Sequence, residues 1–338
     1  MGKQKLKNIV YRYFSLCRYL IHRKHLVIGG FTHRWCSVPV PANYPLQSQT
    51  HPSILALPQV WNNFQYWLAT TPYPMGLTCF ENPCLYHAAG DLNQVPSIFE
   101  AEKNPIVPPL ENSKAFNSDV ELFFKEDKLY LLNRVNYGHH YERELDVYIS
   151  ENAKEWKGPI FVMGTQDPAT HFISPSILSR NGHIYLYTLN SEVDAVKNGL
   201  CGGIDIWEGT TFETPDFKPY ALGKFLNLNR GIHPWHCSLF PYKNKLYMIF
   251  CGRDYRKKTI TAQMETYLAV SDDFINFTIF EKPIIKHIKT YRPSAFVDAQ
   301  GVLNLYFSVV GYVNLKKADR SIGLTSIPME TLLKLVQP

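Results

Sequence analysis

Five residues at equivalent places in a repeated pattern have the types that do chemistry: His51, Asp119, Ser174, His236 and Arg292. A neutral imidazole takes up a proton near pH 7, and a neighbouring carboxylate such as Asp119 can orient it, so His51 or His236 is a candidate general base. His51, His236 and Arg292, joined by Arg134 or Arg253, also suit an anion, because guanidinium offers a two-pronged fork to phosphate or carboxylate. Glu81, Glu142, Glu144 and Glu265 are further carboxylates able to enter the same pocket, although acids in loops are usually solvated. The densest local motif is Gly231-Ile232-His233-Pro234-Trp235-His236, in which Trp235 offers a flat apolar face to a sugar ring or to the core. The alternative for all these polar groups is a strand edge bonded to backbone and water.

Other chemistries find no support in the spacing. His233 and His236, three apart on a strand, point to opposite faces, and neither a HExxH helix nor a CxxC pair occurs, so no metal site is expected. GxGxxG, GxxxxGK[ST] and GxSxG are absent, which argues against nucleotide cofactors and a serine-hydrolase elbow; no cofactor is expected.

The elements that must position the five residues are hairpins. His51-Pro52-Ser53-Ile54-Leu55 leads across Asn62-Asn63 into Tyr66-Trp67-Leu68-Ala69. Runs starting at Ser118, Ser174, His236 and Arg292 do the same across Glu126-Asp127, Asn181-Gly182, Lys243-Asn244 and Gln300-Gly301. The marker residues His51, Asp119, Ser174, His236 and Arg292 are 68, 55, 62 and 56 positions apart. A third strand follows most hairpins and ends in a turn with a trailing aromatic, as in Ser150-Glu151 with Trp156 and Ser271-Asp272-Asp273 with Phe277. Repeats of this length, each a small antiparallel sheet, predict an all-β, five-bladed β-propeller; a pair of sandwiches or a β-helix is the alternative. In a propeller the first strand of each blade lines the axis, so the five residues are expected to converge there.

These hairpins, opening on Pro-Ser or Ser-Asp and closing on Ser-Asp turns with trailing aromatics, resemble the propellers of glycoside hydrolase family 43 and its relatives. The segment from His51-Pro52-Ser53 through Thr71-Pro72-Tyr73-Pro74 to Glu81-Asn82-Pro83 is similar to a divergent bacterial subgroup of that superfamily. The resemblance covers residues 50–326 and implies a first-blade Asp and a third-blade Glu as catalytic pair, with a second-blade Asp tuning the acid. Here His51 and Ser174 stand at the first and third of those positions and only Asp119 keeps its type. Glycosidic cleavage needs two carboxyl groups flanking the bond, so the standard mechanism is in question.

Residues 1–45 form a separate basic arm and lead-in, and residues 46–338 the propeller. The chain has a net charge of +6, yet its first 80 residues carry eight Lys or Arg and no acid, leaving −2 for the remainder. The nearly neutral body argues against nucleic acid as a partner. Leu6, Ile9, Val10, Tyr13, Leu16, Cys17 and Leu20 recur at helical intervals with Lys3, Lys7, Arg18 and Lys24 mostly off that stripe. Such a helix over residues 1–25 suits either an anionic membrane surface or packing on the propeller. Leu26-Val27-Ile28 is the candidate strand to close the ring. Seven cysteines in irregular positions fit a reducing compartment, and no apolar run is long enough to span a bilayer, so the expected location is cytoplasmic, peripheral to the inner membrane if the arm binds it.

The function that follows is action on a glycan, as a divergent glycoside hydrolase or a glycosyl- or phosphate-transferring relative working on a bacterial, anionic polysaccharide. The alternatives are a non-catalytic carbohydrate-binding propeller and a scaffold in polysaccharide assembly at the membrane.

Overall fold

The computed structural model describes residues 48–74, 77–88, 99–111, 115–137, 143–165, 172–190, 203–214, 216–227, 232–254, 264–286, 288–312 and 318–337, the strand segments 25–28, 31–34 and 36–38, and Val10, Tyr13, Cys17 and Leu20. Five four-stranded antiparallel sheets make the propeller. Blade one contains β4 (Gln49–Trp61), β5 (Phe64–Pro72), β6 (Cys84–Ala88) and β7 (Glu100–Ala101). Blade two contains β8 (Phe116–Lys125), β9 (Lys128–Asn136), β10 (Arg143–Ser150) and β11 (Lys157–Thr165). Blade three contains β12 (Ile173–Arg180), β13 (His183–Asn190), β14 (Gly203–Gly209) and β15 (Lys218–Gly223). Blade four contains β16 (Ile232–Tyr242), β17 (Lys245–Asp254), β18 (Glu265–Ser271) and β19 (Thr278–Ile279). Blade five takes β20 (Thr290–Val297), β21 (Val302–Tyr312) and β22 (Ala318–Pro328) from the end of the chain, and its outer strand, β3 (Cys36–Val38), from the beginning.

All five predicted hairpins form, and their turns show why the sequence signals worked. Asn62-Asn63, Glu126-Asp127 and Asn181-Gly182 each place both central residues at positive φ, the twist that a two-residue hairpin requires. The trailing aromatics also behave as expected: Phe277 is fully buried between blades three and four, and Trp156 packs between blades one and two. Ring closure differs in detail. Cys36–Val38 pairs with β22, whereas the expected segment, in β1 (His25–Ile28), pairs with β2 (Phe31–Arg34) as a hairpin of its own.

Because each strand alternates its side chains between the two neighbouring blades, the core is five interblade clusters rather than one centre. The C-terminal helix α1 (Met329–Val336) seals the cluster between blades four and five with Met329, Leu332 and Val336. In the basic arm, Val10, Tyr13, Cys17 and Leu20 are helical at the predicted spacing, with Tyr13 and Leu20 exposed. Its Lys and Arg side chains, and with them the expectation of a membrane partner, lie outside the described residues. Among the described residues no helix is long and apolar enough to cross a membrane.

Candidate functional site

The five marker residues lie where the innermost strands break register. Pairing between first and second strands slips at Thr50/Ser53, Ser118/Glu121, Ile173/Ser176, Pro234/His236 and Tyr291/Pro293. A bulge bends the strand and re-aims a side chain. Here His51, Asp119 and Ser174 take φ of 50°, 47° and 50°, a left-handed conformation that costs a non-glycine residue about 1 kcal/mol. Strain repeated in three blades at one level singles out a candidate site.

All five residues are buried and converge. Asp119 Oδ1 lies 3.1 Å from His236 Nδ1 and 3.8 Å from His51 Nε2. Arg134 approaches Asp119 Oδ2 at 3.4 Å, and Arg292 reaches Oδ1 at 3.9 Å. Ser174 Oγ sits 2.9 Å from His236 Nδ1, and Thr71 Oγ1 2.8 Å from His51 Nδ1, so each imidazole is oriented through one nitrogen. His51 Nε2 and His236 Nε2 are buried with no hydrogen-bond partner. Tyr291 stands beside both rings, 4.4 Å from His236 and 5.3 Å from His51 between centroids.

The protonation states follow from burial and charge. Burial opposes ionisation of Asp119, but His236, His51 and Arg134 outweigh it and hold the carboxyl well below its usual range. Burial lowers His51 and His236, against the opposing pull of the Asp119 charge. Glu81 goes the opposite way: burial, then the Asp119 charge, raise it well above the carboxylate range, while Ser118, Arg134 and Arg320 only partly compensate. The pocket thus pairs an ionised carboxylate with a carboxyl that keeps its proton. Burial and the Asp119 charge likewise raise Tyr291, whose phenol stays a donor.

Of the other predicted residues, Arg134 and Glu81 join this pocket. Trp235 is the bulged residue of β16, half-buried, edge-on to His236 at 5.9 Å and hydrogen-bonded to Tyr291. Glu144 accepts a hydrogen bond from Tyr137, and Glu265 from Tyr267, both on strands outside the inner ring. The Arg253 side chain and Glu142 lie outside the described residues. Tyr291 and Arg320 escaped the sequence argument. Tyr291 directly precedes a marker residue and was findable as an aromatic at a bulge, whereas Arg320 enters from the third strand of blade five, over the Tyr73 ring at 4.1 Å.

Glu121 was missed too. Two positions beyond each marker, Ser53, Ser176 and Ser294 accept the backbone N–H of the next blade at Leu122, Leu239 and Ile54, at 2.9 to 3.0 Å. Blade two has Glu121 at this level, bonded to Ile177 N, Ser53 and Ser176 and ion-paired with Arg292 at 3.1 Å. Burial pushes Glu121 up to about 7 despite Arg292. Folding therefore tightens its proton. The resulting stability is fully present below its ordinary 4.5 and lost as pH rises through about 7. The loss amounts to roughly 3 kcal/mol. Asp146, raised to about 6 by burial and Glu144, adds in the same direction. Glu121→Gln is expected to flatten this decline in urea unfolding between pH 5 and pH 8; an unaltered slope would reject the assignment.

His51, Asp119 and His236 each offer one ligand atom, all within 4.8 Å of one another. His233 and His236 are neighbours in sequence, whereas this trio comes from three blades and is brought together only by the fold. Two imidazoles beside one carboxylate, with buried ring nitrogens that have no hydrogen-bond partner, are a donor set that fits a first-row divalent ion.

No protein-family model matches the chain. A 78-residue stretch, 23% of the chain, is 28% identical to the A type blood N-acetyl-α-D-galactosamine deacetylase of Flavonifractor plautii; the match spans 10% of that protein's length. Among solved structures, an N-acetylgalactosamine deacetylase from F. plautii in complex with blood group B trisaccharide superposes with a TM-score of 0.75 at 16% identity, over 90% of this chain and 97% of the other. A glycoside hydrolase family 43 enzyme from Xanthomonas citri complexed with xylose gives 0.58 at 13% identity, over 92% of each chain. The α-L-arabinanase of Penicillium chrysogenum complexed with arabinobiose gives 0.53 at 13% identity, over 89% and 97%.

Proposed function

We propose that this five-bladed, family 43-like propeller is a carbohydrate-active hydrolase that removes the acyl group from an N-acylated amino sugar with the help of a divalent metal. The observation that carries the reading is the buried His51–Asp119–His236 trio, standing where a glycosidase of this shape would need a first-blade acid, with Ser174 in place of the third-blade acid. The likeness to a deacetylase supports it. His51, Asp119 and His236 would hold the ion, which when bound polarises an acyl oxygen and lowers the pKa of water.

The chain's own groups supply the rest. Asp119 stays ionised and anchors both imidazoles, while Thr71 and Ser174 fix their ring orientation. Tyr291, a persistent donor beside both rings, would bond the acyl oxygen. Glu81 keeps a proton near neutral pH and can deliver it to the departing nitrogen. Water adds to the acyl carbon, the C–N bond breaks, and a carboxylic acid and a free amino sugar leave.

A second reading has one observation in its favour. Carboxyl groups whose environments push their pKa values apart are the mark of an acid–base pair, and Glu81 and Asp119 meet it. They would then cleave a glycosidic bond, as the family resemblance suggests.

The test uses the purified chain, stripped by chelator and reloaded with Mn²⁺ or Zn²⁺, on N-acetylgalactosamine-terminated trisaccharides and N-acetylglucosamine oligomers. One ion per chain and metal-dependent acetate release, both lost in His236→Ala, are expected. New reducing ends without acetate would establish the second reading instead. Absence of metal binding and of turnover would overturn both.

A further inference from the structure

A second cavity, of about 570 Å³, lies between the outer strand of blade two and the two outer strands of blade three, lined by Thr165, Phe172, Asp205, Trp207, Pro219 and Leu222 among others. Its size falls in the range of small-ligand sites. We propose that this groove is a distal subsite for the same glycan whose reacting sugar occupies the axial pocket, and that it takes neutral sugar residues. The inference rests on the carbohydrate reading above and adds where the chain of sugars runs.

Register places the groove at the catalytic end of the propeller. In blade two, Phe116 pairs with Asn136, Asn136 with Arg143 and Arg143 with Thr165, so Thr165 lies level with the start of the inner strand that carries Asp119. In blade three, Ile173 pairs with Leu189, Leu189 with Ile204 and Ile204 with Gly223, which puts Asp205 and Leu222 one step from the level of Ser174. A glycan leaving the axial pocket toward blades two and three thus meets the groove on the same rim.

The lining has the two faces that sugar recognition needs. Trp207 is half-buried and braced by Phe172, with ring centroids 5.6 Å apart, so its position is fixed before any ligand arrives. Cross-strand partners put Trp207 with Pro219, and Asp205 with Leu222, on one face of the blade. Asp205 is oriented by Asn190 at 2.8 Å, and Thr188, opposite Asp205 in register, is buried with a hydroxyl that has no hydrogen-bond partner. An aromatic plane beside a carboxylate suits the C–H face and the hydroxyl edge of a pyranose. Leu222, 80% exposed, extends the apolar lip.

Charge narrows the occupant. Among the described residues no Lys or Arg lines the cavity, and the Asp205 carboxylate disfavours a uronate or another acidic sugar at that point. An acidic polysaccharide would therefore have to present neutral residues here.

Binding is measured by calorimetry with N-acetylglucosamine and N-acetylgalactosamine oligomers of two and six residues, and with a six-residue galacturonate oligomer. Trp207→Ala is expected to weaken the neutral hexasaccharide roughly tenfold. The disaccharide should be unaffected and the galacturonate should bind to neither protein. Because Trp207 also packs on Phe172, the exposed position Leu222→Lys serves as a variant that leaves the fold intact, with an expected loss of at least about threefold through the lost apolar contact. Asp119→Asn, disabled in the axial pocket, should retain the length dependence. Equal hexasaccharide binding by wild type, Trp207→Ala and Leu222→Lys would overturn the groove while leaving the axial reading intact. Failure of the wild type to bind any neutral oligomer would overturn both.

Discussion

Asp119→Asn is expected to reduce turnover by a factor between about a hundred and ten thousand while leaving the fold in place. The carboxylate approaches both histidines, Arg134 and Arg292, so both the metal-assisted and the acid–base reading pass through it. Asn keeps the shape and is among the residues that best tolerate the φ of 47° at this bulge, so backbone strain does not confuse the result. The lost charge also removes an anionic ligand, and metal affinity should fall together with activity. The measurement is acetate and reducing-end release with circular dichroism and metal content on the same samples. Retention of more than a tenth of wild-type turnover by a metal-loaded variant would remove Asp119 from the chemistry.

Arg292→Ala is expected to cost stability rather than catalysis alone. The guanidinium is fully buried at the hub, bonded to Glu121 and to the Pro175 carbonyl, with Asp119 at 3.9 Å. Removing one partner of a buried pair leaves the other charge uncompensated, a loss of about 3–5 kcal/mol. Glu121 softens the blow where it can hold a proton: it titrates at about 7 beside Arg292 and higher without it, so the ion pair is absent from both proteins at pH 5.5 and present only in the wild type at pH 8, where the variant should suffer more. Glu121→Gln in the Arg292→Ala background should recover part of the loss at pH 8, since it removes the stranded anion. Urea unfolding at both pH values decides it; a loss below about 1 kcal/mol at pH 8 would mean that the pair is not a structural hub.

How far the sequence reached can be seen at Asp119 and Glu121, two positions apart on one strand. Asp119 was predictable because it stands at the register of a repeat, beside His51, Ser174, His236 and Arg292. Glu121 occupies a position that other blades fill with Ser, and its replacement of a stitch by an ion pair with Arg292 becomes visible only when blades two and five face each other across the axis. The metal-binding trio was hidden for the same reason: no two of its members are closer than 68 positions in sequence. The catalytic acid candidate Glu81 was visible as a residue but not as a protonated one, because its pKa is set by burial and by a charge on another blade.

The sequence by itself determined the five hairpins, their positive-φ turns, the aromatic seals and the level at which polar residues meet the axis. These are local consequences of strand alternation and turn geometry, repeated often enough to be read. Only the tertiary structure decided that β3 closes the ring instead of Leu26–Ile28, that two histidines flank one carboxylate, and that Arg292 bridges two acids. Those outcomes depend on distances across the hub, which strand pairing within a blade does not encode.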